Sequence, residues 1–149
     1  MKRLLIALAV LFCAPVWAEG LSVEEAWVRM VPPVSPNTAG YLVLHNAGEQ
    51  GRELVAVTSD VASAVEMHTV VEQDGATMMQ QLHKIAVPAD DCVLFEPGGN
   101  HIMFIGLKQP LQEGDSVTLT LEFNDGEALT VTLPVQRGQG ESHQHHQHH

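Results

Sequence analysis

Ala64–Leu82 reads AVEMHTVVEQDGATMMQQL, and its folding decides how the rest of the chain is arranged. Asp74-Gly75 separates two runs of alternating character. Asp-Gly in that setting is the strongest short-range signal for a two-residue β-hairpin, because both loop residues must take positive φ. With Asp74 and Gly75 as the loop, Gln73 pairs with Ala76, Val70 faces Met79 and His68 faces Gln81. Side chains alternate across a strand, so His68, Val70, Met79 and Gln81 share one face. Met79 is then the diagonal neighbour of His68, within reach of a long side chain. Val65, Met67, Val71, Met78 and Leu82 take the opposite face, apolar enough to join a core. The hairpin therefore predicts Met67 and Met78 inward, and Met79 outward beside His68.

The same period extends through the chain. Ser22–Met30, Ala39–Asn46, Glu53–Ser59, Cys92–Glu96, His101–Leu107, Ser116–Phe123 and Ala128–Val135 are alternating or β-branched runs. Turn-forming stretches such as VPPVSPN, NAGEQG, EPGGN and NDGE lie between them. Many short strands with Gly/Pro-rich turns predict an all-β sandwich or barrel. In GGNHIMFIG (98–106), Ile102 and Phe104 fall on one face and His101 and Met103 on the other. The EPGGN turn brings His101 to the beginning of its strand, near the rim of the sandwich.

The chain has 149 residues, enough for one domain. Residues 1–18 read as a secretory signal peptide: Lys2 and Arg3, an apolar run from Leu4 to Phe12, and small residues at Val16 and Ala18 for cleavage. That run is too short to span a bilayer, and no later segment is long and apolar enough to insert once the signal is cut. Phe12 is too bulky for lipid attachment at Cys13. Residues 19–135 form the folded domain. Residues 136–149 are, apart from Arg137 and Glu141, a Gly, Gln, Ser and His tail with nothing to bury, expected to be disordered without a ligand. The net charge of the chain is −11, and two of its 7 basic residues leave with the signal. Such an acidic surface excludes nucleic acid as a partner. Cys92 is then the remaining thiol, so no internal disulfide forms. Export and composition point to a monomer in the bacterial periplasm.

His68, Met79, His101 and Met103 are the candidate donors. Two imidazoles and two thioethers are neutral, and thioethers select Cu(I) over zinc, magnesium or calcium. A thiolate would be oxidised in such a compartment, whereas methionine avoids disulfide chemistry. The spacing is His68, ten residues, Met79, twenty-one residues, His101, one residue, Met103. This resembles the periplasmic copper chaperone family PCuAC, whose signature is His-x10-Met-x21-His-x-Met. The resemblance also covers AWVRMVPP, NTAGYLVLHNAG and FEPGGNHIMFIGLKQPLQEGDSVTLTLEF. It implies a cupredoxin-like Greek-key β-sandwich holding one Cu(I) near its surface through these four side chains. It further implies delivery of copper toward the CuA centre of cytochrome oxidase, the partner being an oxidase subunit or another copper assembly factor. The chain departs from the family where a Met commonly follows the first His, having Thr69-Val70 instead. Met67 precedes His68, and the hairpin sends it to the core.

The tail residues His143, His145, His146, His148 and His149 suit Cu(II), as imidazole-rich segments do. Affinity tags are uninterrupted, and the Gln144 and Gln147 spacers mark a native tail. His45 and His83 read as surface or hydrogen-bonded strand histidines. Trp27 reads as a core anchor, and Cys92, flanked by Val93, Leu94 and Phe95, as a small buried hydrophobe. Glu24-Glu25 and Asp90-Asp91 read as solvated charges. An electron-transfer cupredoxin would need a Cys thiolate close to the last His and Met, and Cys92 lies nine positions before His101. General copper buffering or resistance would use the same four donors. No Ser-His-Asp spacing, phosphate loop or HExxH occurs, so an enzyme is not expected.

Overall fold

The computed structural model describes residues 20–138. Ten strands form among these residues: β1 (Leu21–Arg29), β2 (Asn37–Asn46), β3 (Arg52–Thr58), β4 (Ala62–Gln73), β5 (Ala76–Leu82), β6 (Ile85–Val87), β7 (Asp91–Phe95), β8 (His101–Leu107), β9 (Ser116–Phe123) and β10 (Ala128–Gln136). The expected all-β class holds. The short β6 is an addition to the sequence reading; its three residues are too few for alternation to reveal.

The strands join in the order β5-β4-β8-β2-β1-β10-β9-β3-β6, with β7 beside β2. β1 and β10 pair in parallel and the other pairs are antiparallel. The sheet rolls so that β3 approaches β4, and β6 approaches β2 and β7. The enclosed core includes Leu42, Leu44, Leu54, Ile102, Phe104, Leu119, Leu121 and Leu133. Burial of that apolar area is the main force holding the roll together. The polar Asn46 within it is satisfied: its amide donates to the carbonyls of Gln50 and Val87, and its oxygen accepts from Gly48 N–H.

Two features of this frame set the position of the donors. First, the hairpin has the register the Asp-Gly loop predicts: Gln73 pairs with Ala76, Val70 with Met79 and His68 with Gln81. Asp74 and Gly75 have φ of 52° and 78°, the positive values a type I′ turn demands. Second, β7 and β8 lie end to end along the same edge of β2. β7 pairs with Leu42–Asn46 and β8 with Asn37–Gly40. Between them Glu96–Asn100 loops out, closed at its neck by Glu96 N–H donating to the Asn100 carbonyl at 2.9 Å.

Three expectations change. Met78 is 50% exposed, not core. The last β4–β8 pair is His68–His101, so beyond it the hairpin overhangs, with Val71 only half-buried and Met78 exposed. Trp27 faces outward and stacks on Tyr41 at 4.8 Å. The cause is a β-bulge between Glu24 and Trp27, with Glu25 at φ 53°, which reverses the alternation and sends Val28 inward in its place. Cys92 is exposed, because β7 turns Val93 and Phe95 toward the core and leaves Cys92 and Leu94 outside.

Candidate metal centre

β4 and β8 build the centre between them. His68 and His101 are direct register partners, and Glu66 is the partner of Met103. Strand alternation puts Ile102 and Phe104 into the core behind, both fully buried, and turns His101 and Met103 to the other face. Met67 is buried, so His68 shares that outer face. Met79, opposite Val70, is diagonal to His68 as the hairpin predicts. The four sequence-predicted donors thus occupy one face of three adjacent strands.

The two rings lie 5.7 Å apart, centroid to centroid, and are tilted by 39°. Imidazoles sharing one ion at a metal–nitrogen distance of about 2.0 Å have centroids roughly 5–6 Å apart. Each ring is held by one of its nitrogens. His101 Nδ1 lies 3.0 Å from the Gly99 carbonyl in the preceding loop. His68 Nε2 lies 2.8 Å from Glu66 Oε2. His101 is buried, at 7% exposure, whereas Met79 is 58% exposed at the overhanging hairpin. The patch has a fixed floor and an open side.

The other histidines stand apart. His83 is exposed beyond the end of β5. His45 pairs with Cys92 across β2 and β7, and its Nε2 lies 3.2 Å from Glu24. Glu24 is exposed, in line with its reading as a solvated charge. On β2, His45 is five residues from Gly40, the partner of Ile102, or roughly 17 Å at the strand rise. A Cys92 thiolate is therefore too distant to share a centre with His101 and Met103. Among the described residues, no group of three or more His, Cys, Asp or Glu could hold a metal ion. The tail histidines 143–149 and the signal segment, Cys13 included, lie outside the described residues.

The family model described as "Putative lipoprotein LpqE-like" matches residues 21–135. "Putative lipoprotein Lxx21020" of Leifsonia xyli subsp. xyli is 37% identical over 119 residues, covering 79% of this chain and 70% of that protein. The solution structure titled CuI-DR1885, from Deinococcus radiodurans, is 31% identical with a TM-score of 0.65, over 82% of this chain and 83% of that one. The copper-bound PCuAC domain from PmoF2 superposes with a TM-score of 0.67 at 19% identity, over 80% of this chain and 94% of that one, a likeness of fold. With the family match spanning nearly the whole described domain, the chain belongs to the LpqE-like family and has the fold of a PCuAC domain.

Proposed function

We propose that this protein is an exported, non-enzymatic copper carrier that binds one Cu(I) through His68, Met79, His101 and Met103 and hands it to a copper-accepting protein. The reading is carried by the cross-strand pairing of His68 with His101, 5.7 Å apart, with both methionines on the same face. The donor chemistry supports Cu(I): thioethers bind soft monovalent copper and discriminate against hard cations. The Cu(I) form of DR1885 among the similar structures agrees with this cargo.

Transfer needs tight holding and a route for release. Met79, exposed on the overhanging hairpin, is the ligand an acceptor meets first; His101, anchored through Gly99, is the last to let go. Ligands can then be exchanged one at a time without stripping the ion bare. Cytochrome oxidase, at its CuA centre, is the destination the PCuAC resemblance implies. Lipoprotein descriptions among the relatives agree with export.

X-ray absorption of the Cu(I)-loaded protein tests the site. Two sulfur and two nitrogen neighbours are expected. A shell of nitrogen and oxygen alone would rule the methionines out. The tail is a separate proposal: His143, His145, His146, His148 and His149 bind Cu(II). Truncation after Arg137 should lower the Cu(II) stoichiometry in a calorimetric titration and leave Cu(I) unchanged. An unchanged Cu(II) count would remove the tail as a site.

A further inference from the structure

His68 presents a nitrogen that no described residue satisfies. Its Nε2 is bonded to Glu66 Oε2 at 2.8 Å, and its Nδ1 is buried with no hydrogen-bond partner among the described residues. An ionised carboxylate only accepts, so the ring proton sits on Nε2 and Nδ1 keeps its lone pair. Leaving a buried polar atom unpaired is costly, and such an atom calls for an explanation. Glu66 stands directly opposite Met103, so its carboxylate belongs to the same patch although it is not one of the four donors. His101 is held the opposite way round. Its Nδ1 donates to the Gly99 carbonyl, and Nε2 is left with the lone pair.

We propose that Glu66 is a positioning residue of the metal centre: it fixes the Nε2–H tautomer of His68, so that His68 binds the ion through Nδ1 while His101 binds it through Nε2. This rests on the copper-carrier reading and assigns a fifth residue to the site. Metal-ligating histidines characteristically donate their second ring N–H to a carboxylate or carbonyl, which orients the ring and raises its basicity. Glu66 and Gly99 supply one of each. The carboxylate also balances charge. Four neutral ligands leave the single positive charge of Cu(I) intact, and the half-buried Glu66 offsets it. A divalent ion would remain under-compensated in the same place.

Long-range nitrogen-15 NMR of the imidazoles, without metal and after loading with Cu(I), tests the assignment; Cu(I) is diamagnetic and leaves both spectra readable. The metal-free protein should show His68 as the Nε2–H tautomer and His101 as the Nδ1–H tautomer. Loading should shift His68 Nδ1 and His101 Nε2 while the other two nitrogens keep their protons. Glu66→Gln retains a carbonyl acceptor, so it should keep the tautomer and weaken Cu(I) only about threefold, the loss of charge assistance. Glu66→Leu should mix the two tautomers and weaken Cu(I) roughly 10–100-fold. If that variant fails to fold, the wild-type and Glu66→Gln spectra still decide. A Cu(I)-induced shift at His68 Nε2 would overturn the role of Glu66 and leave His68 a ligand. No shift at either His68 nitrogen would overturn the four-donor site as well.

Discussion

His101→Ala should weaken Cu(I) binding by at least about 100-fold in competition with a chromogenic Cu(I) chelator. Loss of a residue that merely orients a ligand already costs roughly 10–100-fold, and here the ligand itself is removed. His101 is also the most constrained member of the set, being buried, first in β8 and bonded to the Gly99 carbonyl. Among the described residues no other imidazole is near enough to take its place, because His45 lies toward the far end of β2, paired with Cys92. His45→Ala is therefore the control, with Cu(I) affinity unchanged. Met103→Leu separates softness from shape. Leucine fills nearly the same volume, so stability should change by less than about 1.5 kcal/mol, while Cu(I) weakens and Cu(II) does not. Equal losses in His45→Ala and His101→Ala would mean that copper is held elsewhere.

Phe104→Ala should destabilise the domain by about 3–5 kcal/mol in urea unfolding. Phe104 is fully buried and is the largest of the fully buried side chains. It faces Thr38 on β2 and Val65 on β4 across its two neighbours. Its ring lies so close to the backbone that a Cβ on Gly40 would come within 2.8 Å of Cε2, which is why position 40 is glycine. Alanine at 104 leaves a cavity that β2, β4 and β8 cannot close without losing register. Domain stabilities run to only about 5–15 kcal/mol, so the loss is a large fraction. The same strand carries His101 and Met103, so saturating Cu(I) should recover part of the loss through binding to the folded state alone. Met78→Ala is the contrast. Half exposed on the overhang, it should stay within about 0.5 kcal/mol of the parent. A comparable loss there would mean that the hairpin packs more deeply than its register allows.

Asp74-Gly75 and the alternation around it were sufficient to predict the hairpin register and to set Met79 beside His68. Alternation in GGNHIMFIG likewise predicted that Ile102 and Phe104 go inward and that His101 and Met103 face out together. These are local consequences of a two-residue period and a turn with one acceptable geometry, so a short window contains them. Other properties depend on what lies across from a strand, and no window contains that. Met78 has the parity of a core residue, but β8 begins at His101 and its pairing with β4 ends there, leaving the hairpin to overhang. Trp27 has an inward parity until the bulge at Glu25 reverses it. Cys92 sits in an apolar run, yet the core needs only one side of β7.

The sequence by itself determined the all-β class, the turn that pins the hairpin and the soft, neutral chemistry of the four candidate donors. Only the tertiary structure decided that β4 and β8 are neighbours in a register that brings His68 opposite His101. The same holds for the end-to-end placement of β7 and β8, which separates Cys92 from that pair, and for the bond between Glu66 and His68. Periodicity tells which way a side chain points along its own strand. Pairing between distant strands is chosen by burying one shared core, and the proposed metal centre lies on the outer face of that choice.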